Sequence, residues 1–266
     1  MLKREQLKNI TPQEFRSLVR EGKWTEDTTE ICSGYSQANV VIVPKEYAFD
    51  FFLFCQRNPR PCPVIDVTEP GDPFPRLMAS GADLRMDIPK YRIFKNGEIV
   101  DEPTDILDYW RDDLVGFLLG CSKSFVWALK SANISWRRYG AYQTSIACRS
   151  AGRFRGNMAV TVRSFSNSND AIRAIQISSR HTFMHGPPIH IGDWREIGIK
   201  ELGKPDPFNP YRPILEPPKP GEVIMYWGCG ITPQMVAIES KIPFMITHAP
   251  AHMFITDKFV EELSVI

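Results

Sequence analysis

The sequence predicts an α/β protein of two domains: an α/β layered body from the N- and C-terminal thirds, and an inserted smaller α+β domain. Three features point there. Strand and helix signals alternate at both ends of the chain, the pattern of layered α/β folds. The middle differs sharply in charge, and a proline-rich stretch separates it from the tail. The boundaries so drawn are 1–133 with 219–266 for the body and 134–218 for the insert. A chain of 266 residues can build such cores without disulfide or metal staples.

The elements follow in order. Thr11-Pro12-Gln13-Glu14 offers an N-cap, a proline at the first helical position and a glutamate at the third. Phe15, Leu18 and Val19 form the apolar face of that helix, and Gly22 ends it. Residues 39–43 read as a buried strand, and Pro44 opens a helix carrying Phe49, Phe52, Leu53 and Gln56, stopped by Asn58-Pro59. A short strand at 63–67 precedes a loop rich in Pro, Gly and Asp at 69–75. Asn96-Gly97 is a hairpin signal after Arg92-Ile93-Phe94. Thr104 is expected to cap a helix running to Leu119, with Gly120 breaking it before a second helix over 124–132.

In the middle, 157–165 alternates like a strand, and Ser168 is expected to cap a helix over 169–179. Residues 181–192 are extended around Pro187-Pro188. Seven prolines between 204 and 220 suggest a strap between domains. The tail reads as a strand at 222–227, a turn at 228–231, a second Thr-Pro cap at Thr232-Pro233 with a helix to Glu239, a strand at 244–247 and a closing helix over 257–263.

Charge narrows the ligand. The net charge is +1, which argues against a polyanion specialist. Yet residues 134–192 hold eight arginines and one acid, Asp170, so this stretch carries +7 and the remainder −6. Arginine's planar fork suits bidentate contacts to carboxylate or phosphate. A small anionic substrate is therefore the expected partner, with a solvated basic face the plain alternative. Trp136, Tyr139, Tyr142, Phe154 and Phe165 lie among the arginines, which raises single-stranded nucleic acid; strand alternation buries such rings instead, so nucleic acid is not the expected partner.

No apolar run approaches the ~18 residues of a membrane span, and the first residues lack the apolar core of an export signal. A cytoplasmic protein is expected, and the sequence leaves room for a homo-oligomer. The six cysteines show no CxxC pair, so reduced thiols are expected, without a disulfide framework or zinc-finger pattern. No cofactor is expected.

Two cysteines stand in glycine-rich turns. In Gly228-Cys229-Gly230-Ile231-Thr232-Pro233-Gln234, glycines let the backbone approach a ligand, and Thr232 would cap a helix whose first amides make an anion site. A thiol there should have a lowered pKa; a small buried cysteine in a tight turn is the alternative. Gly120-Cys121-Ser122-Lys123-Ser124 reads by itself as an interhelical turn, and lacks the spacing of a phosphate loop. The histidines form two groups, His181, His185 and His190, then His248 and His252. Pro250 interrupts the i,i+4 pair and the intervening glutamate of a metalloprotease helix is absent, so no metal site is assigned. Tyr35, Gln37 and Asn39 bring polar side chains to the amino end of the first buried strand, whereas α/β ligands sit at carboxyl ends.

Taken in order, these segments resemble the D-glutamate cyclase family of bacterial hydro-lyase-like proteins. The likeness runs through Gly34-Tyr35-Ser36-Gln37-Ala38-Asn39, Phe54-Cys55-Gln56-Arg57-Asn58-Pro59, Asp83-Leu84-Arg85, Gly120-Cys121-Ser122 and Ala151-Gly152-Arg153-Phe154. It continues through His185-Gly186-Pro187-Pro188-Ile189-His190-Ile191-Gly192-Asp193, the segment from Trp227 to Gln234, and Thr247-His248-Ala249-Pro250. The resemblance implies reversible dehydration of D-glutamate to 5-oxo-D-proline or a related small acid. Two positions depart from the family pattern: Val126 stands where an acid is usual, and Ala251 where glycine is usual.

Set against that chemistry, Cys229, Cys121, His248 and His252 are the candidate catalytic groups, by acid–base or thioester routes. Arg153 is the expected carboxylate clamp. Gly228, Gly230, Thr232, Gln234, His185, His190, Tyr35, Gln37 and Asn39 complete the expected substrate site. A metal-dependent hydrolase of a small anion, or a non-catalytic protein binding nucleic acid or another anion, remains as an alternative.

Overall fold

A computed structural model describes residues 2–205 and 216–265. The centre of the predicted strap at 204–220 thus lies outside the described residues. The first helix, α1 (Pro12–Arg20), starts as its sequence dictates. The Glu14 amide donates to Thr11 Oγ1 (3.3 Å) and the Thr11 amide to Glu14 Oε2 (2.8 Å).

The buried run that follows is β1 (Tyr35–Pro44), the centre of a seven-stranded sheet. Its side chains alternate between two cores, Val41 and Val43 entering one, Ala38, Val40 and Ile42 the other. Both faces are covered, so the run needs no polar alternation; each fully buried valine or isoleucine side chain contributes about 1.5–3 kcal/mol. Pro44 caps α2 (Lys45–Arg57), which ends at Asn58. Then come β2 (Val64–Val67) and the hairpin β3 (Tyr91–Lys95) and β4 (Glu98–Asp101). The hairpin closes on Asn96 and Gly97, both with positive φ, as its Asn-Gly signal predicts.

The helix expected over 104–119 is not there. Only Leu107–Tyr109 form a 3-10 turn, and β5 (Leu114–Gly120) is a strand buried at every residue. It pairs with β1 on one side and β2 on the other. A continuous apolar run fits a doubly covered strand as well as a buried helix, and this one is strand length. The next helix, α3 (Ser122–Ser131), therefore follows a strand rather than another helix.

The middle segment forms a second sheet. Its strands β6 (Arg137–Ala147) and β7 (Asn157–Phe165) are followed by α4 (Ser168–Ser179), capped by Asn167 rather than Ser168, and by the short β8 (His190–Ile191). The strand β9 (Val223–Gly228), grouped with the body in the sequence, instead pairs with β7 and β8, giving the order β6-β7-β9-β8. From it the chain enters α5 (Thr232–Glu239) and returns to the first sheet through β10 (Phe244–His248). The expected closing helix is replaced by β11 (Phe254–Phe259) and a 3-10 turn, Glu261–Leu263. The first sheet runs β2-β5-β1-β10-β3-β4, with β11 beside the first half of β1, and all strand pairs are antiparallel.

The chain is thus an α/β protein with two antiparallel sheets, and the sheets share core. Cys148, Ala151 and Phe154 from the middle segment pack with Phe51 and Phe117, the Phe51 and Phe154 rings 5.1 Å apart. Tyr139, Tyr142, Phe154 and Phe165 are buried, which removes them as a stacking platform for bases. Among the described residues no helix is long and apolar enough to cross a membrane.

Candidate active site

Antiparallel pairing resolves the objection to the head of β1. Ala38 faces Gly120 across the β1–β5 ladder, so the amino end of β1 lies beside the carboxyl end of β5. His248 closes β10 on the other side of β1 and reaches Val40. Here a small cavity of about 50 Å³ is lined by Asn39, Cys121, Lys123, Cys229, Gln234 and His248, with Ala141 and Thr161 from the second sheet. It shares Ser122, Lys123 and Thr161 with a larger chamber of about 430 Å³. A third cavity, about 390 Å³, meets these at Thr29, Arg138, Pro250 and Ala251 and reaches His252.

Both thiols sit at strand-to-helix turns. Cys121 is the N-cap residue of α3, and a Cβ on Gly120 before it would collide with the Phe183 carbonyl oxygen. Cys229 precedes Gly230, where a Cβ would collide with the Asn39 amide; glycine is needed for these elements to close on one another. The expected low thiol pKa is overturned. Burial pushes Cys229 up to about 12 and raises Cys121 as well, outweighing the amides of Ile231 and Lys123 that favour thiolate. Thr232 does not cap α5: its hydroxyl donates to the Cys229 carbonyl (2.7 Å) and accepts from the Ala159 amide (3.0 Å). That ties the turn to β7.

Polar groups around the thiols are held from behind. The Asn39 amide donates to the Gly120 carbonyl (3.0 Å), and Gln234 Nε2 to the His248 carbonyl (3.0 Å) while its oxygen accepts from Arg92 (3.2 Å). His248 Nδ1 lies 3.1 Å from the Val40 amide and 3.4 Å from the Val40 carbonyl, so the Val40 backbone holds the ring in place. Burial lowers the His248 pKa to about 3. His248 is therefore neutral near pH 7. His252 Nδ1 donates to the Pro250 carbonyl (2.8 Å), and burial lowers its pKa too.

A basic group whose pKa burial brings toward neutrality is one that sequence reasoning missed. Lys123, half-buried in the first turn of α3, donates to Thr29 Oγ1 at 2.7 Å and faces the Ala251 carbonyl at 3.4 Å. Burial lowers its pKa to about 8, against the opposing pull of Cys121 and Asp27. Arg163 was missed as well. It is 2 % exposed, donates to Thr161 Oγ1 (3.1 Å), and lies over the Phe125 and Trp227 rings. The signals were present: a lysine at a positive helix N-terminus opposes the dipole, and an arginine inside a buried strand is costly unless it is used.

The remaining expected residues divide. Tyr35 and Gln37 line the larger chamber, Tyr35 stacked on Phe259 (4.4 Å) and Gln37 holding the Thr28 carbonyl (2.9 Å). Arg153 is exposed, over the Tyr47 ring, and lines none of the three cavities; the guanidinium groups at the cleft belong to Arg138 and the buried Arg163. Gly228 packs on the Arg60 backbone. His185 is buried, donating Nδ1 to the Arg60 carbonyl (2.6 Å), with a pKa lowered to about 4 by burial. His190 lies on β8 against Tyr226. Neither of these histidines lines the three cavities. Among the described residues no three His, Cys, Asp or Glu side chains gather as a metal site. Of the departures, Val126 lines the larger chamber, and Ala251 adopts the left-handed conformation (φ 70°) that favours glycine.

Comparison with known proteins agrees with the residue-level resemblance. The profile of the family described as D-glutamate cyclase matches residues 115–257. A Geobacillus kaustophilus protein is 50 % identical over 97 % of this chain and 98 % of its own length. A Bacillus subtilis protein is 48 % identical over 97 % of this chain and all of its own. Both are named "Putative hydro-lyase". A solved nitrogen repressor-like protein from Methanococcus jannaschii covers 94 % of this chain and 99 % of its own at 8 % identity and a TM-score of 0.39, too distant to carry an argument.

Proposed function

Because the chain belongs to the D-glutamate cyclase family, we propose that it is a hydro-lyase interconverting D-glutamate with 5-oxo-D-proline and water. The observation that carries this reading is Lys123, an amine with a pKa of about 8 in the same cleft as the buried Arg163.

The reaction sets clear demands. The α-ammonium has three protons and the lactam nitrogen keeps one, so two must end on the departing γ-carboxyl oxygen. Neutral Lys123 takes a proton from the ammonium, the freed amine attacks the γ-carbon, and a C–N bond forms. Lys123 then returns the proton to the oxygen and repeats the transfer as the C–O bond breaks and water leaves. A base whose pKa lies near the working pH suits both halves.

The other groups hold and polarise. Arg163 clamps a substrate carboxylate through its planar fork, the role first assigned to Arg153. The neutral His248 imidazole, in its Nε2–H tautomer in this proposal, and the amides of the two turns stabilise the tetrahedral oxyanion. With Cys229 at about 12, its thiol stays protonated; it serves as wall and weak donor, which disfavours a thioester route.

Incubating the purified protein with D-glutamate, and separately with 5-oxo-D-proline, and following both by chiral chromatography tests the proposal. Conversion in both directions is expected. No conversion in either, by a folded sample, would remove the cyclase assignment.

A further inference from the structure

The cleft is larger than its proposed substrate. At about 430 Å³ the chamber joined to the thiol pocket is in the range of ~300–1,000 Å³ that holds drug-sized ligands, whereas glutamate cyclisation expels only a water. Its walls are chemically specific. Tyr35, Trp127 and Trp136 supply aromatic surface, and Val126 an apolar patch. Five basic side chains line it (Lys8, Lys123, Lys130, Arg138 and Arg163) against one acid, Glu30, which pairs with Lys8 and Lys130. Such a chamber suits a group that is apolar or aromatic in body and anionic at one end.

The junction is as informative as the walls. Ser122, Lys123 and Thr161 belong to both cavities. A group leaving the γ-carbon of a glutamate seated at this junction would therefore pass Lys123 into the large chamber. Reaction chemistry points the same way. A γ-carboxylate is anionic and a poor electrophile, while a γ-amide carbonyl is neutral, and its nitrogen departs as an amine once protonated.

We propose that the preferred substrates are γ-D-glutamyl amides of amino acids, above all aromatic ones, with the leaving amino acid held in the large chamber. The inference rests on the cyclase reading of the same site. The α-amine attacks the amide carbon; the lactam C–N bond forms and the γ-amide C–N bond breaks. The two protons lost by the α-ammonium pass through Lys123 to the leaving nitrogen. Products are 5-oxo-D-proline and a free amino acid in its ammonium form. No water or co-reactant is consumed. Trp127 binds the aromatic ring of the leaving group, and the chamber's other cations, Lys130 and Arg138 among them, its carboxylate.

The test compares γ-D-glutamyl-L-phenylalanine with D-glutamate as substrates of the wild-type protein and of Trp127→Ala. Release of 5-oxo-D-proline and of phenylalanine is followed by chromatography. The expected result is a kcat/KM at least tenfold higher for the dipeptide than for D-glutamate. Trp127→Ala is expected to lower the dipeptide value about tenfold, mainly through KM, while D-glutamate conversion is unchanged. Conversion of D-glutamate without phenylalanine release overturns the inference and leaves the cyclase assignment standing. Equal loss on both substrates in Trp127→Ala also overturns it. Turnover of neither substrate removes both.

Discussion

The two thiol-bearing turns, at 120–123 and 228–232, are built alike and do different work. Each leads from a strand into a helix, the first from the larger sheet and the second from the smaller. Each places a glycine against neighbouring polar atoms and a thiol whose pKa burial raises. The difference is the residue that follows. The first turn adds Lys123, with a pKa near 8. The second adds a hydroxyl and an amide already committed to backbone partners. A helix N-terminus alone does not make a reactive thiol when burial outweighs its dipole. On the proposed mechanism, proton transfer belongs to the first turn, and shape to the second.

The contrast can be broken in several places. Lys123→Met should have the largest effect, lowering turnover about 10²–10⁴-fold, the usual contribution of general acid–base catalysis. Its melting temperature at pH 7 should rise, because a partly buried charge that costs stability is removed. The sign is fixed: a lysine whose folded pKa lies below its unfolded value costs most below pH 8, and the cost fades toward 10.5. Gly230→Ala comes next. Its Cβ would collide with Asn39, so a loss of about 1–3 kcal/mol is expected in denaturant titration. Adding Asn39→Ala should restore part of that stability without restoring full activity.

Cys229→Ser should be milder. If the thiol is wall rather than nucleophile, kcat/KM stays within about tenfold of wild type, and iodoacetamide alkylates the native thiol only slowly at pH 7. Complete loss of turnover with unchanged stability would move the chemistry to the second turn. Ala251→Gly should change least, raising the melting temperature by about 1–3 °C as left-handed strain is relieved, partly offset by a freer unfolded chain. Activity should be retained, since the Ala251 carbonyl near Lys123 remains.

How much of this was legible in the sequence follows the same division. Local chemistry was readable wherever it decided the structure: the Thr11–Glu14 capping box, the Asn96-Gly97 hairpin and the buried strand after Asn39. The apolar run 114–119 was misassigned because strand and helix both bury such a run, and the choice was made by β1 and β2 on either side. For the site, Cys121, Cys229, Asn39, Gln234 and His248 do line one pocket. Arg153 and His190 do not, since motif spacing says nothing about which side of a fold a loop reaches. Lys123 was hidden by that misassignment: after a helix it is a turn residue, after a strand it opens a helix at the mouth of a cleft.

The measurement that bears most directly on the central claim is the pH dependence of ring opening, 5-oxo-D-proline to D-glutamate. In that direction the substrate has no group titrating between pH 6 and 10, so the profile reports the protein. If neutral Lys123 moves the proton, kcat/KM rises with pH to a plateau with an apparent pKa of about 8, and Lys123→Met loses both the rate and the inflection. A profile flat across that range, or a Lys123→Met enzyme as active as wild type, would contradict it.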